Sequence, residues 1–322
     1  MKIYVIGFKD FHLDEDKETG VLFDRNWINP VSFGLKSYGV LVESPEEADV
    51  IIQLDMDDFA RSKSGCSCGY CSVPLSNVDL AVLQDRYGSS KKYASYVWDC
   101  YTWASRFNSA GVKCGGSFDL DLAREVFRNC DHIFVPNEGT QNTVLSSLGI
   151  DSEVLSPFTR FFDYPSIKDC NYVCIAHRPY ILDPTCDWGR RACRELEIPY
   201  IWNKENKGYS DFFKNKDNFE RLLGECSFIV STKFEASTGG MSLLEAHNLG
   251  KPVLTSNSRF NGATDIFGER AQYFEYNSYS DLKENLLLLW TERPKLDIVD
   301  CQEFCKNFTG DKMAQRIIEA VS

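Results

Sequence analysis

"STKFEASTGGMSLLEAHNLGKPVLTS", residues 231–256, decides the fold because it holds the end of one strand, a loop, a helix and a second strand. The strand "SFIVST" ends in this stretch, so residues 233–240 form the loop at its carboxyl end. A helix is predicted to start near Ser242 and to stop at Gly250, and "VLTS" follows as the next strand. This order is typical of a parallel α/β sheet, whose ligands bind on the loops at the carboxyl ends of the strands.

Two glutamates lie on either side of the predicted helix start. The first helical amides have no partner within the helix and attract anions, and a glycine pair lets a phosphate approach the backbone closely. Glu245, predicted in the first helical turn, can accept hydrogen bonds from a ribose, and Glu235 can accept them from a sugar. The residues of this stretch that we predict to surround an anionic ligand are Lys233, Gly239, Gly240, Met241, Ser242 and Glu245.

Strand and helix patterns alternate along the whole chain, with one interruption. The stretch "SPFTRFFDYPSIKDC" has two prolines and no sustained periodicity, which indicates a linker. A chain of 322 residues is long enough for a domain on each side of it. We therefore predict an N-terminal domain over 1–160, a C-terminal domain over 168–308, and a final helix over 309–322 that can cross back to the N-terminal domain.

The charge and hydropathy of the chain exclude several classes of protein. A net charge of −12 disfavours a broad docking surface for nucleic acid or an anionic membrane. The two basic clusters, "SSKKY" and "WGRRACR", are interpreted as solvated surface. Neither a signal peptide nor an apolar window of about 18 residues is present, so we expect a cytoplasmic protein without a membrane span.

The cysteine-rich stretch "SGCSCGYCSVP" raises the question of a metal site. Cys66, Cys68 and Cys71 would hold zinc only if a fourth ligand such as Cys100 or Cys114 joined them, because structural zinc sites have four ligands. A reduced surface loop is the favoured interpretation, and we expect no metal. A second candidate for a metal site, the acidic stretch "DMDD", follows a strand of the N-terminal domain and would bind a metal only in a different fold.

The residues quoted above also resemble a known family. "FEASTGGMSLLEAHNLGKPVLTS", followed by "GATDIFGERAQYF", is similar to the donor-site signature of the retaining glycosyltransferases of family 4, the group 1 glycosyltransferases with the GT-B fold. "CDHIFVPNEGTQNTVLSSLGI" resembles the last strand and helix of that family's N-terminal domain. Nine residues separate Glu235 from Glu245 here, which is two more than the family pattern has.

The resemblance implies an α/β GT-B fold of two Rossmann-like domains with parallel sheets that face a central cleft. It also implies a nucleotide-diphosphate sugar bound mainly by the C-terminal domain, with Glu245 on the ribose and Glu235 or the glycine backbone on the sugar. A basic residue after the first strand of that domain, here Arg178, would stabilise the leaving diphosphate. The second basic residue is left open among Lys204, Lys207 and Lys233.

The N-terminal domain should hold the acceptor. Asp99 follows an aromatic strand and is a candidate for contact with the acceptor, and a buried structural carboxylate is the alternative. His12 also follows a strand and is interpreted as structural. The catalytic candidates are Arg178, Glu235 and Asp99.

The function that the resemblance implies is transfer of a hexosyl or pentosyl group from a nucleotide-diphosphate sugar, with retention of anomeric configuration and without a cofactor or metal. The acceptor is left open among a glycan, a small molecule, a protein and a modified base in DNA. The alternatives are transfer to a modified base in DNA, a non-catalytic nucleotide-sugar-binding protein, and a cysteine/zinc interaction module.

Overall fold

A computed structural model of the protein describes residues 1–6, 8, 28–54, 77–97, 120–157, 171–175, 187–202, 216–232, 240–258 and 262–322. Its strands, in chain order, are β1 Ile3–Val5, β2 Val50–Gln53, β3 Lys92–Tyr96, β4 His132–Val135, β5 Glu153–Val154, β6 Val173–Ile175, β7 Tyr200–Trp202, β8 Phe228–Ser231, β9 Val253–Ser256 and β10 Gln272–Phe274.

The helices are α1 Ile28–Ser37, α2 Asn77–Tyr87, α3 Leu120–Arg128, α4 Glu138–Leu148, α5 Trp188–Glu195, α6 Lys216–Glu225, α7 Met241–Asn248, α8 Ala263–Phe267, α9 Tyr279–Glu292, α10 Ile298–Cys305 and α11 Gly310–Val321. Contacts divide these elements into two compact units. The first unit holds β1 to β5 with α1 to α4 and the last helix, α11, and the second holds β6 to β10 with α5 to α10.

The sheet of the first unit is parallel, with its strands in the order β1-β2-β3-β4-β5. A single bridge joins Leu41 to Ile3 on the free side of β1, also in parallel. After β1 the chain therefore first passes along the free side of β1, at Leu41, and then crosses to the opposite side of β1 to form β2. Such a reversal is typical of doubly wound α/β folds, which have helices on both faces.

Side chains that alternate along these strands fill a core on each face of the first sheet. On one face, Ile51, Tyr93 and Ile133 pack with side chains of α2, α3 and α4. Val50 and Ile52 point to the other face and are equally buried. The helices left to cover that face are α1 and α11, which pack against each other.

Two glycines allow the close contact between α1 and α11. A Cβ added to Gly34 would lie 2.8 Å from the Ala314 Cβ, and one added to Gly310 would lie 2.5 Å from the Pro30 carbonyl oxygen. Neither distance is compatible with a real side chain, so both positions require glycine. The final helix therefore belongs to the core of the first unit, although it follows the whole second unit in the chain.

The second unit has a parallel sheet in the order β10-β9-β8-β6-β7. Cys174, Ile229 and Val253 face α6, α7, α8 and α10 on one side of the sheet. On the other side of the sheet, Val173, Val230 and the strand residues whose side chains point the same way face α5 and α9. The predicted α/β class with parallel sheets is thus confirmed in both units.

Four elements were not predicted from the sequence: α2, β5, α8 and α10. In α2, Leu80 is buried while Val82 is 49% exposed, so its apolar residues do not form a single stripe. The other three are short or have polar residues along much of their length. Within the part of the chain that the structure describes, none of the helices is long and apolar enough to cross a membrane.

Candidate functional site

The strand order of the second unit locates a candidate site. The chain runs from β6 to β7 on one side of β6 and then crosses to β8 on its other side. In open parallel sheets, ligands bind where the strand order reverses, outside the carboxyl ends of the two strands concerned. The carboxyl ends of β6 and β8, at Ile175 and Ser231, are therefore the place where the fold itself predicts a ligand.

The first turn of α5 lies against these two strand ends. A Cβ added to Gly189 would lie 3.3 Å from the Thr232 side chain and 3.5 Å from that of Ile175. A side chain at this position would crowd Thr232, so glycine allows the start of the helix to lie close to the switch point. Arg190, the next residue, has a side chain that is 23% exposed and pairs with Asp187.

The first turn of α7 lies at the same edge of the sheet, because α7 connects the parallel strands β8 and β9. Gly240 precedes the helix with φ +74 and ψ 102, a conformation that residues with a Cβ rarely adopt. The Leu243 amide bonds back to the Gly240 carbonyl oxygen at 3.0 Å. The amides of Met241 and Ser242 come too early in the helix to find an acceptor within it, and both residues are only partly buried.

Gly240 has no side chain to cap these amides, and it makes no side-chain cap hydrogen bond. The start of α7 is therefore suited to an anionic ligand, because its amides and the positive end of the helix dipole both favour negative charge.

Glu245 is the fifth residue of α7 and is 0% exposed. The prediction that it lies in the first helical turn is wrong, because the helix begins at Met241 after Gly240 rather than at Ser242. A fully buried carboxylate is costly to desolvate, so Glu245 is not an ordinary solvated helix residue.

Buried polar residues also lie at the ends of β8 and β9, the strands that precede and follow α7 in the chain. Those at the carboxyl ends of β8 and β9 are Ser231, Thr232, Thr255, Ser256 and Ser258. Buried polar side chains at this edge contrast with the apolar middle of the same strands, where ladders of Ile, Val and Leu predominate. The edge of the sheet next to α5 and α7 thus combines the chemistry of a polar ligand site with the position that the topology predicts.

Helix α5 is anchored to α9 by charge and ring contacts. Glu195 accepts hydrogen bonds from Lys283 at 2.7 Å and from Arg191 at 2.8 Å. The pKa of Glu195 is lowered to about 2, mainly by the hydrogen bond from Lys283 and next by the one from Arg191. Trp188 packs edge-on against Tyr279 with ring centroids 5.5 Å apart, and Arg191 lies 4.7 Å above the same tyrosine ring. The contact of Trp188 positions the first turn of α5, and the contacts of Glu195 hold its last turn.

Several predicted residues lie outside the described residues, and their predictions stand as they were made. They are Asp99, Arg178, Lys233, Glu235 and Gly239 of the site, and His12, Asp55 to Asp58, Cys66, Cys68, Cys71, Cys100, Cys114, Lys204 and Lys207. The structure does bring together Gly240, Met241 and Ser242 at the start of one helix, with Glu245 one turn further on.

Sequence reasoning missed Gly189 and Arg190 as members of this edge. The cluster "WGRRACR" was interpreted as solvated surface, which holds for Arg191 at 61% exposure. For Arg190 the interpretation was incomplete, since its helix turn lies against the strand ends. The signal in the sequence was Gly189 in "DWGRRACREL", a stretch whose pattern predicts a helix after the first strand of the domain.

No protein-family model matches the sequence, and none of the curated proteins matches it. The fold, in contrast, is similar to that of many solved structures. Sucrose-phosphate synthase from Thermosynechococcus elongatus superposes with a TM-score of 0.59 at 10% identity, over 95% of this chain and 79% of the synthase.

HepE of Anabaena, solved in complex with UDP, gives a TM-score of 0.57 at 13% identity, over 100% of this chain and 99% of HepE. The pneumococcal O-GlcNAc transferase GtfA, in complex with UDP and GlcNAc, gives 0.53 at 11% identity over 90% of this chain. This chain spans only 59% of the GtfA chain in that structure, and 59% of the matched chain of the GtfA/B complex. At these identities the similarity shows the fold alone. That fold is GT-B, built of two Rossmann-like units with parallel sheets, as the family resemblance implied.

Proposed function

We propose that the protein is a glycosyltransferase that takes its sugar from a nucleotide-diphosphate donor. The observation that carries the proposal is the uncapped start of α7, whose first amides suit an anion, at the switch point of the second sheet. The GT-B fold supports it, and so do the UDP molecules bound by HepE and GtfA, the neighbours of this fold. We therefore propose UDP-sugars as the first donors to test.

The phosphate chemistry at this edge follows from the backbone. A diphosphate can accept hydrogen bonds from the amides of Met241 and Ser242, and the glycine before them leaves room for its oxygens. Arg190 adds a guanidinium at the first turn of α5, which suits the bidentate geometry of a phosphate. We propose Arg190 as a further candidate for the second basic residue, beside Lys204, Lys207 and Lys233.

The proposed roles of the remaining residues follow the family resemblance. Glu245 binds the nucleotide ribose, and Glu235 binds the sugar. Arg178 stabilises the negative charge that develops on the departing diphosphate, which is where a fixed positive charge lowers the barrier most. Asp99 contacts the acceptor, and Lys233 assists the binding of the donor.

Retention of configuration and membership of family 4 rest on the resemblance of residues 234–256 and 262–274, and we keep both as part of the proposal. The basic side chains and helix amides do the work of a divalent ion in this scheme, so turnover should continue when divalent ions are chelated. The acidic net charge of −12 disfavours a DNA acceptor. We propose a glycan, a small molecule or a protein as the acceptor class.

The test is a panel of nucleotide sugars, with binding measured by isothermal titration calorimetry and turnover by release of the nucleoside diphosphate. We expect a UDP-sugar to bind and to be turned over at a similar rate with and without EDTA. Glu245→Ala should weaken donor binding by at least about tenfold, as expected for loss of a hydrogen-bonded buried carboxylate. Glu284→Ala, on the exposed side of α9, is the matched control and should leave binding unchanged.

The outcomes of these assays decide between the alternative functions. If none of the nucleotide sugars binds, the transferase proposal is wrong. Binding without turnover, with or without acceptors, would favour the non-catalytic binding protein. Turnover that gives a product with the anomeric configuration of the donor, read from the proton coupling of C1, supports retention, and an inverted product contradicts it.

A further inference from the structure

Helix α10 packs along α7, on the side of the second sheet that α6, α7, α8 and α10 cover. A Cβ added to Gly250, just after α7, would lie 3.5 Å from the Ile298 Cβ at the start of α10. At the end of α10, the Cys305 thiol donates to the Leu244 carbonyl oxygen of α7, with the sulfur 3.6 Å from that oxygen. Helix α10 thus contacts α7 near both of its own ends and supports it.

His247 of α7 lies in this interface, in apolar surroundings. It is 1% exposed. Its ring stands edge-on to Phe267 of α8 and to Phe304 of α10, with ring centroids 5.5 and 5.4 Å away. These side chains would separate a charge on the ring from water, and the desolvation of a charge is costly. The closed interface therefore favours the neutral imidazole.

The charged groups around the ring do not offset this cost. Asp300 of α10 favours a proton on His247, but it also accepts two hydrogen bonds from Arg270, at 2.6 and 3.2 Å. Arg270 disfavours the proton, and its guanidinium lies 4.7 Å above the Phe304 ring. The remaining carboxylates behind α7 are exposed, so that solvent screens them; they are those of Asp265, Glu269 and Asp297.

The titration of His247 reflects these surroundings. Burial, and then the charge of Arg270, lower the pKa of His247 from 6.5 to about 4, although the backbone of Lys251 and Asp300 act in the opposite direction. The thiols of α10 stay neutral, because burial raises the pKa of Cys301 to about 11 and that of Cys305 to about 12. If α10 moves away and water reaches the ring, the pKa of His247 returns towards 6.5. As the pH falls, the opened form therefore binds a proton before the closed form does.

We propose that the interface between α7 and α10 is a pH-sensitive contact, which acid opens through protonation of His247 and which donor binding keeps closed. The start of the same eight-residue helix is the proposed donor site. A ligand that requires the ordered first turn of α7 binds the closed form and so opposes opening. The effect of the donor rests on the proposed function, whereas the effect of acid requires neither a nucleotide nor a sugar.

The size of the acid effect follows from the two pKa values of His247. With 6.5 in the opened form and about 4 in the closed form, the equilibrium constant for opening rises about 20-fold from pH 7 to pH 5. Below pH 4 the rise approaches about 300-fold. The dependence should disappear when the residue at position 247 cannot bind a proton.

The test is native-state hydrogen exchange of the whole chain at pH 7 and pH 5, corrected for the pH dependence of the chemical exchange rate. We expect the protection of the buried Cys301 and Cys305 amides to fall about 20-fold in the unsubstituted protein. In His247→Phe, which keeps an aromatic ring, it should fall less than about threefold. His132→Gln, a partly exposed histidine of the first unit, is the matched control and should keep the 20-fold fall. An equal fall with and without His247 would overturn the proposal.

A second measurement keeps the proposal testable if His247→Phe does not fold. The chain has four histidines, so the ring signals of His247 are assigned by elimination from His12→Gln, His132→Gln and His177→Gln. In the unsubstituted protein, labelled with ¹⁵N-histidine, the ring of His247 should remain neutral down to about pH 5. A ring that is half protonated above pH 6 would contradict the proposed origin of the acid effect.

The donor is tested with UDP at pH 5, with binding followed by calorimetry. Bound UDP should raise the protection of the same two α10 amides at least about tenfold when its concentration is well above the Kd. UDP that binds without changing this protection would show that the contact is not coupled to the donor site. If UDP does not bind at all, the donor site is wrong, and the acid effect is still decided by the exchange of the variants.

Discussion

Replacing Gly240 with alanine is the sharpest perturbation of the proposed donor site. Gly240 precedes α7 with φ +74 and ψ 102, outside the left-handed helical region that other residues sometimes enter. A Cβ at this position would also lie 3.2 Å from the Leu243 Cγ and 3.5 Å from its Cδ1. The substitution therefore strains the backbone and crowds the first turn of α7.

The magnitude of the effect can be worked from these two terms. Holding a residue with a Cβ in such a sparsely populated region costs about 1–3 kcal/mol. The contact with Leu243 is tight but involves a side chain that can shift by a few tenths of an ångström, which adds up to about 1 kcal/mol. Together the two terms amount to about 1–4 kcal/mol, which corresponds to a fall in melting temperature of about 2–16 °C for a unit of this size.

The assay combines thermal unfolding with calorimetric titration of UDP, and Gly149→Ala is the matched control. Gly149 ends α4 with φ +68 and ψ 35, and an added Cβ there would meet nothing within 4 Å. Its replacement should cost only about 1 kcal/mol of left-handed strain. We expect Gly240→Ala to be the more destabilising of the two and to weaken UDP binding at least about tenfold, because the amides of the first turn move.

The reasoning is refuted in either of two ways. If Gly240→Ala destabilises the protein no more than Gly149→Ala does, the start of α7 adapts without strain. Alternatively, UDP affinity could be the same in both variants, which would place the diphosphate away from this helix.

Three further perturbations test other parts of the structure. Arg190→Ala should raise the Kd for a UDP-sugar about tenfold, because the helix turn of Arg190 lies at the strand ends. Arg191→Ala should raise it by less than about twofold, because Arg191 is exposed. Equal effects of the two variants in calorimetry would contradict this. The pKa of Glu195 is lowered from 4.5 to about 2, so its ion pairs stabilise the fold above about pH 4.5 and lose that effect as the pH falls towards 2. Glu195→Gln should therefore lower the urea midpoint at pH 7 and have no effect at pH 2, and a pH-independent penalty would count against the ion pairs. Gly310→Ala should destabilise the protein by about 3 kcal/mol, because its Cβ would overlap a backbone carbonyl of α1, whereas Gly39→Ala has open space around it and should cost about 1 kcal/mol in the same thermal melts.

The sequence predicts most strands and helices because their signals are local. The buried strands are runs of β-branched and aromatic residues, such as "VIIQ" and "FIVS", and Gly149 ends α4 in the left-handed conformation that such a glycine indicates. Helix α2 was missed because apolar residues on both of its faces obscure the helical period.

The start of α7 shows where local patterns mislead. Ser242 and Glu245 have the spacing of a capping box, which predicts a helix that starts at the serine with the glutamate in its first turn. The structure instead uses Gly240 before the helix, which shifts Glu245 into the second turn and into the interior. The backbone conformation of a glycine thus outweighs a side-chain cap at this position.

The parts of the site that could not be predicted depend on contacts between distant segments. Gly189 lies close to Thr232 across more than forty residues of sequence, and this tertiary packing brings the turn of Arg190 to the strand ends. Behind the site, His247 of α7 packs against Phe304, which comes from a helix that was not predicted. The strand order that defines the switch point is also a tertiary property, which no local pattern contains.

The most direct test of the account is the amide spectrum of the ¹⁵N-labelled protein during a titration with UDP. Diphosphate binding at the start of α7 predicts that the largest shifts are those of Gly240, Met241 and Ser242, with smaller ones at Gly189 and Arg190. Largest shifts among the amides of the first unit, or no saturable shift at all, would contradict the placement of the donor site in the second unit.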